Sequence, residues 1–266
     1  MNKVFSFELH KLFRSKSFYI WTAISIVLSV AFLVASFIVY KKVSAEALMA
    51  ATQGTDVTAS DLTMSPESGI ISMVQFFAQS PIAFCIMIFV CNFVCEDFEN
   101  GILKNVISKG YTRTAVFGAK YITLLIASFI MTALNAIIIF AVSSILYGDV
   151  GEGYLALIPQ MFLLFFGILT FTGLFFMLCT ILKKNAPAVT LSILALILMP
   201  QALNLITAGL KLKDFNLGVL WFGSQLDYIA KVNVSTETLL GAALCIAIYF
   251  VLTSLVWILS VKKMEV

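Results

Sequence analysis

Charge and histidine are what this sequence has least of: charged residues make up 12% of its 266 positions, and histidine occurs once, as His10. Soluble domains carry about 25% charge, so a chain of this size lacks the charge to coat a water-facing surface. A single histidine leaves no cluster to hold a catalytic metal, which excludes intramembrane metalloproteases. His10 itself reads as a polar-face residue ahead of the first apolar run. Neither a Gly-x-Ser-x-Gly nor a Gly-x-x-x-x-Gly-Lys-[Ser/Thr] phosphate loop occurs. No catalytic residue is therefore identified, and any ATP used is bound by another chain. The apolar runs are almost free of Asp, Glu, Lys and Arg, which argues against an ion-driven carrier, since such carriers hold the moving charge on intramembrane carboxylates. Cysteine is sparse too. Cys85, Cys91, Cys95, Cys179 and Cys245 all lie in apolar runs. Cys91 and Cys95 share a helical face, yet with no other ligand-type residues beside them they read as packing residues, with no metal site and no disulfide expected.

What is present is apolar: 61% of the residues. Lipid must be the solvent for much of the exterior, and the length accommodates about six spans of roughly 20 residues with short connections. The expected fold is a single all-α integral membrane domain over 1–266, with six transmembrane helices at about 18–40, 70–95, 116–146, 154–182, 186–208 and 238–261. Ahead of them, Phe5, Leu9, Leu12 and Phe13 alternate with Lys3, Glu8, Lys11 and Arg14 at helical spacing. Residues 3–16 therefore predict an amphipathic helix in the headgroup layer. The following apolar run is too long for a signal peptide and ends at Lys41-Lys42 rather than at a small-residue cleavage site, so it reads as an uncleaved span. Residues 41–69 read as a polar loop and 147–153 as a tight turn. Residues 209–237 are too interrupted to span, but suit short re-entrant helices. The 116–146 run is longer than a bilayer needs, so one end projects or tilts. Pro200 predicts a kink or break in the fifth span.

Orientation follows from Lys and Arg. Lys3, Lys11, Arg14, Lys16, Lys104, Lys109, Arg113, Lys120, Lys183, Lys184, Lys262 and Lys263 fall on one side, against Lys41, Lys42, Lys211, Lys213 and Lys231 on the other. The first set marks the cytoplasm, which places both termini there. Polar residues within the spans are Asn92, Asn135, Gln160, Gln201 and Asn204. Interhelical hydrogen bonding is their default role, and lining a substrate path is the alternative.

The most informative stretch is 96–109, Glu-Asp-Phe-Glu-Asn-Gly-Ile-Leu-Lys-Asn-Val-Ile-Ser-Lys. Phe98, Ile102, Leu103, Val106 and Ile107 form one apolar stripe. Acids at the start and Lys104 and Lys109 later suit a helix dipole. The segment reads as a short amphipathic helix between the second and third spans, either a surface connector or an element that docks into a groove on a soluble partner.

This run, continued by Tyr-Thr-Arg113 and Gly118-Ala-Lys120, resembles the signature that follows the second span in ABC-2-type transporter permeases: an acid, Gly-Thr-Leu-[Lys/Arg], a short apolar run, Ser-Arg and a downstream Lys. Ile102 stands where that family usually has Thr. The opening with Glu8, Lys11 and Arg14-Ser-Lys16 is similar to the family's N-terminal connecting helix, and the six-span layout matches. Within the family the chain is most similar to short Gram-positive permeases of the lantibiotic and bacitracin exporter and immunity type. The resemblance implies a plasma-membrane, bacterial export subunit that is not itself an enzyme. It would pair with a second permease, identical or paralogous, and bind two copies of a separate ABC ATPase that holds ATP and Mg. This chain would hold no cofactor; its other partner would be membrane lipid, with no nucleic acid. The coupling helix at 96–109 would use Phe98, Ile102 and Val106 to fill the ATPase groove, with Gly101 in its signature and Glu96, Glu99, Lys104 and Arg113 at the rim; the 3–16 helix and Lys183-Lys184 would support the same surface. Amphipathic peptides, lipids or hydrophobic drugs would travel along the permease interface, past Asn92, Asn135, Pro200, Gln201 and Asn204. An ATP-independent channel or sensor subunit is the competing reading; an intramembrane enzyme lacks its histidines.

Overall fold

The computed structural model describes residues 2–52, 81–147, 154–210, 217–230 and 234–263, and every long element among them is an α-helix. α1 (Asn2–Arg14) and α2 (Lys16–Thr52) are separated by Ser15 alone. The Ser15 hydroxyl accepts from the Phe18 N–H at 3.4 Å and caps α2. The expected loop at 41–69 is not a loop over its first part: α2 continues to Thr52. The reason is local, because Ala45-Glu-Ala-Leu-Met-Ala-Ala51 is rich in strong helix formers and no Gly occurs before Gly54. The rest of that segment lies outside the described residues.

α3 (Ile82–Glu99) starts behind Pro81, which forms its N-cap. α4 (Ile102–Ser108) follows, then α5 (Arg113–Tyr147), α6 (Tyr154–Leu182), α7 (Asn185–Gly209), a 3-10 turn at Leu217–Leu220, α8 (Phe222–Ile229) and α9 (Thr236–Lys263). Among the described residues five helices, α2, α5, α6, α7 and α9, are long and apolar enough to cross a membrane. The remaining expected span, 70–95, is described only from Pro81 onward. At 35 residues, α5 is about 52 Å long, more than a hydrocarbon core of about 30 Å needs. α7 runs through Pro200, so no break occurs there. The short helices expected within 209–237 are present as the 3-10 turn and α8; the turn expected after Tyr147 lies outside the described residues.

α6 is the central helix, packing against α3, α5, α7 and α9. Leu164, Ile168, Phe175, Phe176 and Cys179 are buried along it. Tyr121 and Trp257 bracket Phe176, with ring centroids 5.2 and 5.4 Å away. Gly173 allows a close crossing here, since a Cβ would lie 3.0 Å from both Tyr121 Oη and Thr253 Oγ1 and press on those side chains. α8 is seated the same way: a Cβ on Gly167 would come 2.3 Å from Leu226 Cδ2. The Phe222 ring packs at a tilt against Phe171 of α6 and Tyr249 of α9, with centroids 4.4 and 5.0 Å away. Small residues at the contacts and hydroxyls across them join the inner helices. Thr172 donates to Ser128 at 2.8 Å, and Asn135 donates to Ser25 at 2.9 Å. The outward surface is the reverse, with Val27, Ile137, Ile145, Phe162, Leu205 and Leu240 all more than 60% exposed. An apolar exterior around a tightly joined interior is the inside-outside pattern of a multi-pass helical membrane protein.

Candidate coupling site

Four consecutive residues at the end of α3 point four ways, because a helix turns about 100° per residue. Glu96 is exposed. Asp97 is 1% exposed and turns inward, where one carboxylate oxygen accepts from Lys11 of α1 and the other from Lys120 of α5. Phe98 packs on Phe117 of α5, ring centroids 5.6 Å apart. Glu99 reaches α7 and accepts from the Asn185 N–H at 3.0 Å.

The Asp97 contacts belong to a larger buried cluster. Lys120, fully buried, also donates to Glu8 of α1 at 3.1 Å. One turn back on α3, the Phe93 ring lies 4.8 Å from both the Lys11 and the Lys120 ammonium. Two carboxylates face two ammoniums, so the formal charge cancels. That balance is what allows burial: a lone buried ion costs several kcal/mol, and opposite partners with further hydrogen bonds offset it. Lys11 is the solvated member, its side chain 24% exposed. Three helices distant in sequence are thereby fastened at one point.

The expected single helix over 96–109 is two pieces. α3 runs to Glu99, Asn100 ends it, and Gly101 takes the left-handed conformation (φ +67°) before α4 begins. The acids thus stand at a helix C-terminus, where the dipole disfavours them, and not at an N-terminus. Ion pairing of Asp97 and contact of Glu99 with the positive N-terminal end of α7 compensate. The α6–α7 connection is correspondingly tight. Lys183 ends α6 in the left-handed region (φ +57°), Lys184 is extended, and the Asn185 side chain donates to Asn92 at 2.8 Å. Both lysines are exposed.

Of the other predicted docking residues, Ile102 and Val106 are half-buried on α4, so part of each apolar side chain is uncovered. The Lys104 side chain lies outside the described residues. Arg113 opens α5 and is half-buried. Glu96, Phe98, Glu99, Gly101, Ile102, Val106 and Arg113 thus lie along one stretch at the end of the bundle, but Phe98 and Glu99 are engaged with α5 and α7. The predicted path residues do not converge. Asn92 meets Asn185, whereas Asn135 is inside, bonded to Ser25 and to the Met131 carbonyl. Pro200 is half-buried, and Gln201 and Asn204 are exposed on α7.

The cluster of Glu8, Lys11, Asp97 and Lys120, with Phe93 beneath it, is not among the sites expected from the sequence. One signal was present: Lys120 is the only charge within 116–146, and an ionisable residue inside a span demands a partner. Those partners lie 23 and 112 positions away, beyond any local periodicity. The cysteines are free thiols, and Cys179 donates to Cys91 at 3.5 Å.

Residues 58–266 match a family model described as "Protein of unknown function (DUF2705)". No curated protein matches the chain. Asp97 and Lys120 fall within the matched residues; Glu8 and Lys11 precede them.

Proposed function

We propose that this chain, which belongs to the DUF2705 family of proteins of unknown function, is the membrane-spanning permease subunit of an ABC-2-type transporter. In this reading the apolar run at 70–95, described from Pro81 onward and holding α3, is one of six spans. Both termini face the cytoplasm, and a separate ATPase, in two copies, docks on α4. A second permease completes the complex, which exports amphipathic peptides, lipids or hydrophobic drugs.

One observation carries the reading: α4 is a short helix with partly uncovered Ile102 and Val106, set off from α3 by left-handed Gly101, directly beside a turn bonded to three other helices. Asp97 ties that turn to α1 and α5, and Glu99 ties it to α7. A push on α4 by a closing ATPase dimer therefore reaches three helices through one rigid turn, which suits a rigid-body switch between two packings. A loop merely lying on lipid has no use for such bracing. Exposed Gln201 and Asn204 on α7, whose other exposed polar side chain, Thr190, donates to the Ala186 carbonyl, support a second permease there, since amides facing lipid leave polar groups unsatisfied.

Ile102→Asp in the tagged full-length chain tests the docking. The variant should reach the membrane at wild-type level but lose the co-purifying soluble ATPase. Undiminished ATPase recovery would reject docking on α4 and favour the channel or sensor reading.

A further inference from the structure

α1 presents two stripes. Val4, Glu8 and Leu12 are buried, with Lys11 beside them in the ion cluster. Lys3, Phe7, His10 and Arg14, spaced at i, i+4, i+7 and i+11, are all exposed, with Phe13 beside them and Lys16 following. Phe7 and Phe13 are 54% and 45% exposed. Leu12, part of the apolar stripe of the amphipathic helix expected in the headgroup layer, is thus turned to the protein. The protein itself takes the inner stripe.

Two consequences follow. Glu8 is the only acid in α1, and the Lys120 pair draws it inward, so the outward stripe is left with cations and rings alone. Among the described residues none of Lys3, Arg14 and Lys16 pairs with a carboxylate. Depth is fixed as well: only Ser15 separates α1 from the long apolar helix α2, and the Tyr19 hydroxyl donates back to the Phe13 carbonyl at 3.0 Å. α1 is therefore held at the level where α2 enters the membrane.

We infer that the Lys3-Phe7-His10-Arg14 stripe, with Phe13 and Lys16, is a docking surface for acidic phospholipid headgroups. The phenyl rings enter the boundary of the acyl region while the cations meet phosphate, the combination that interfacial basic helices use. The buried cluster is what makes the stripe selective, because it removes the one carboxylate that would repel an anionic headgroup. This inference does not depend on the transport reading.

The test uses the full chain reconstituted in phosphatidylcholine vesicles doped with spin-labelled phosphatidylglycerol or spin-labelled phosphatidylcholine, reading the immobilised boundary fraction of each. Wild type should prefer phosphatidylglycerol at low salt and lose the preference at high salt. Lys3→Gln/Arg14→Gln/Lys16→Gln should bind the two lipids alike, the preference falling by up to about fivefold per cation removed. Should the triple variant not reconstitute, Lys3→Gln alone still carries a measurable share of the loss. Equal binding of both lipids by wild type, or an undiminished preference in the triple variant, would overturn the inference. Loss of ATPase recovery in the triple variant with lipid preference intact would also overturn it, assigning the stripe to a protein partner. Failure of Ile102→Asp to release the ATPase would leave the lipid result standing.

Discussion

Replacing Lys120 with methionine keeps most of the alkyl volume and removes one buried charge. Glu8 then loses its partner at 3.1 Å, Asp97 loses one of two ammoniums, and Phe93 loses one of the two cations beside it. Two carboxylates face one ammonium, and that ammonium is on Lys11, the member nearest solvent. Removing one partner from a buried ion pair costs about 3–5 kcal/mol, most of it the penalty of the charge left behind. At roughly 2–4 °C per kcal/mol for a chain of this size, the midpoint of thermal unfolding should fall by about 10 °C. The decisive control is Lys120→Met/Glu8→Gln, which restores charge balance without restoring the contact. If the cost is surplus buried charge, the double variant melts above Lys120→Met, with a coupling of about 0.5–3 kcal/mol. Tryptophan fluorescence in detergent reads the transition, since Trp257 packs against Tyr121, the neighbour of Lys120. A Lys120→Met midpoint within about 2 °C of wild type, less than one kcal/mol on this scale, would refute the idea that the cluster holds α1, α3 and α5 together. A double variant less stable than either single change would refute the charge-balance argument.

Two further outcomes follow from local geometry. Gly167→Ala should destabilise the bundle by about 1–3 kcal/mol through overpacking against Leu226, and Gly167→Ala/Leu226→Ala should recover part of that loss; an unaffected melting midpoint in the single variant would show that α8 does not press on α6. Glu99→Ala should cost about 1 kcal/mol by uncapping α7 and should speed amide hydrogen exchange in its first turn from Asn185, whereas Glu99→Gln, which keeps an acceptor, should cost less. Equal exchange in wild type and Glu99→Ala would dismiss the cap.

Long apolar periodicity made much of the fold legible. Spans expected at 154–182, 186–208 and 238–261 correspond to α6, α7 and α9 within about two residues, the ordinary uncertainty of helix ends. Elsewhere, expectations failed for identifiable reasons. Lys41-Lys42 suggested an end to the first helix, but charge alone does not stop a helix whose next ten residues favour it. At 96–109 the apolar stripe looked continuous because helical spacing counts through Asn100-Gly101 as though it were regular. Gly101 at positive φ resets the direction of the chain there. The ion cluster was illegible for a different reason. Glu8, Lys11, Asp97 and Lys120 each look like solvated charges beside a membrane boundary, and only the packing of α1 on α5 shows them to be one buried unit. Lys120 alone, isolated in an apolar run, hinted at a partner. Asp97 did not stand out beside its two acidic neighbours, Glu96 and Glu99.

On the proposed reading, α4 faces the cell interior and presents itself to an ATPase. Asn105, exposed on α4, is the place to ask. With Asn105→Cys in the chain, a membrane-impermeant maleimide should label inside-out vesicles and leave intact cells unlabelled, and prior addition of the purified ATPase should block the reaction. Labelling in intact cells would put α4 outside and rule out ATPase docking on it.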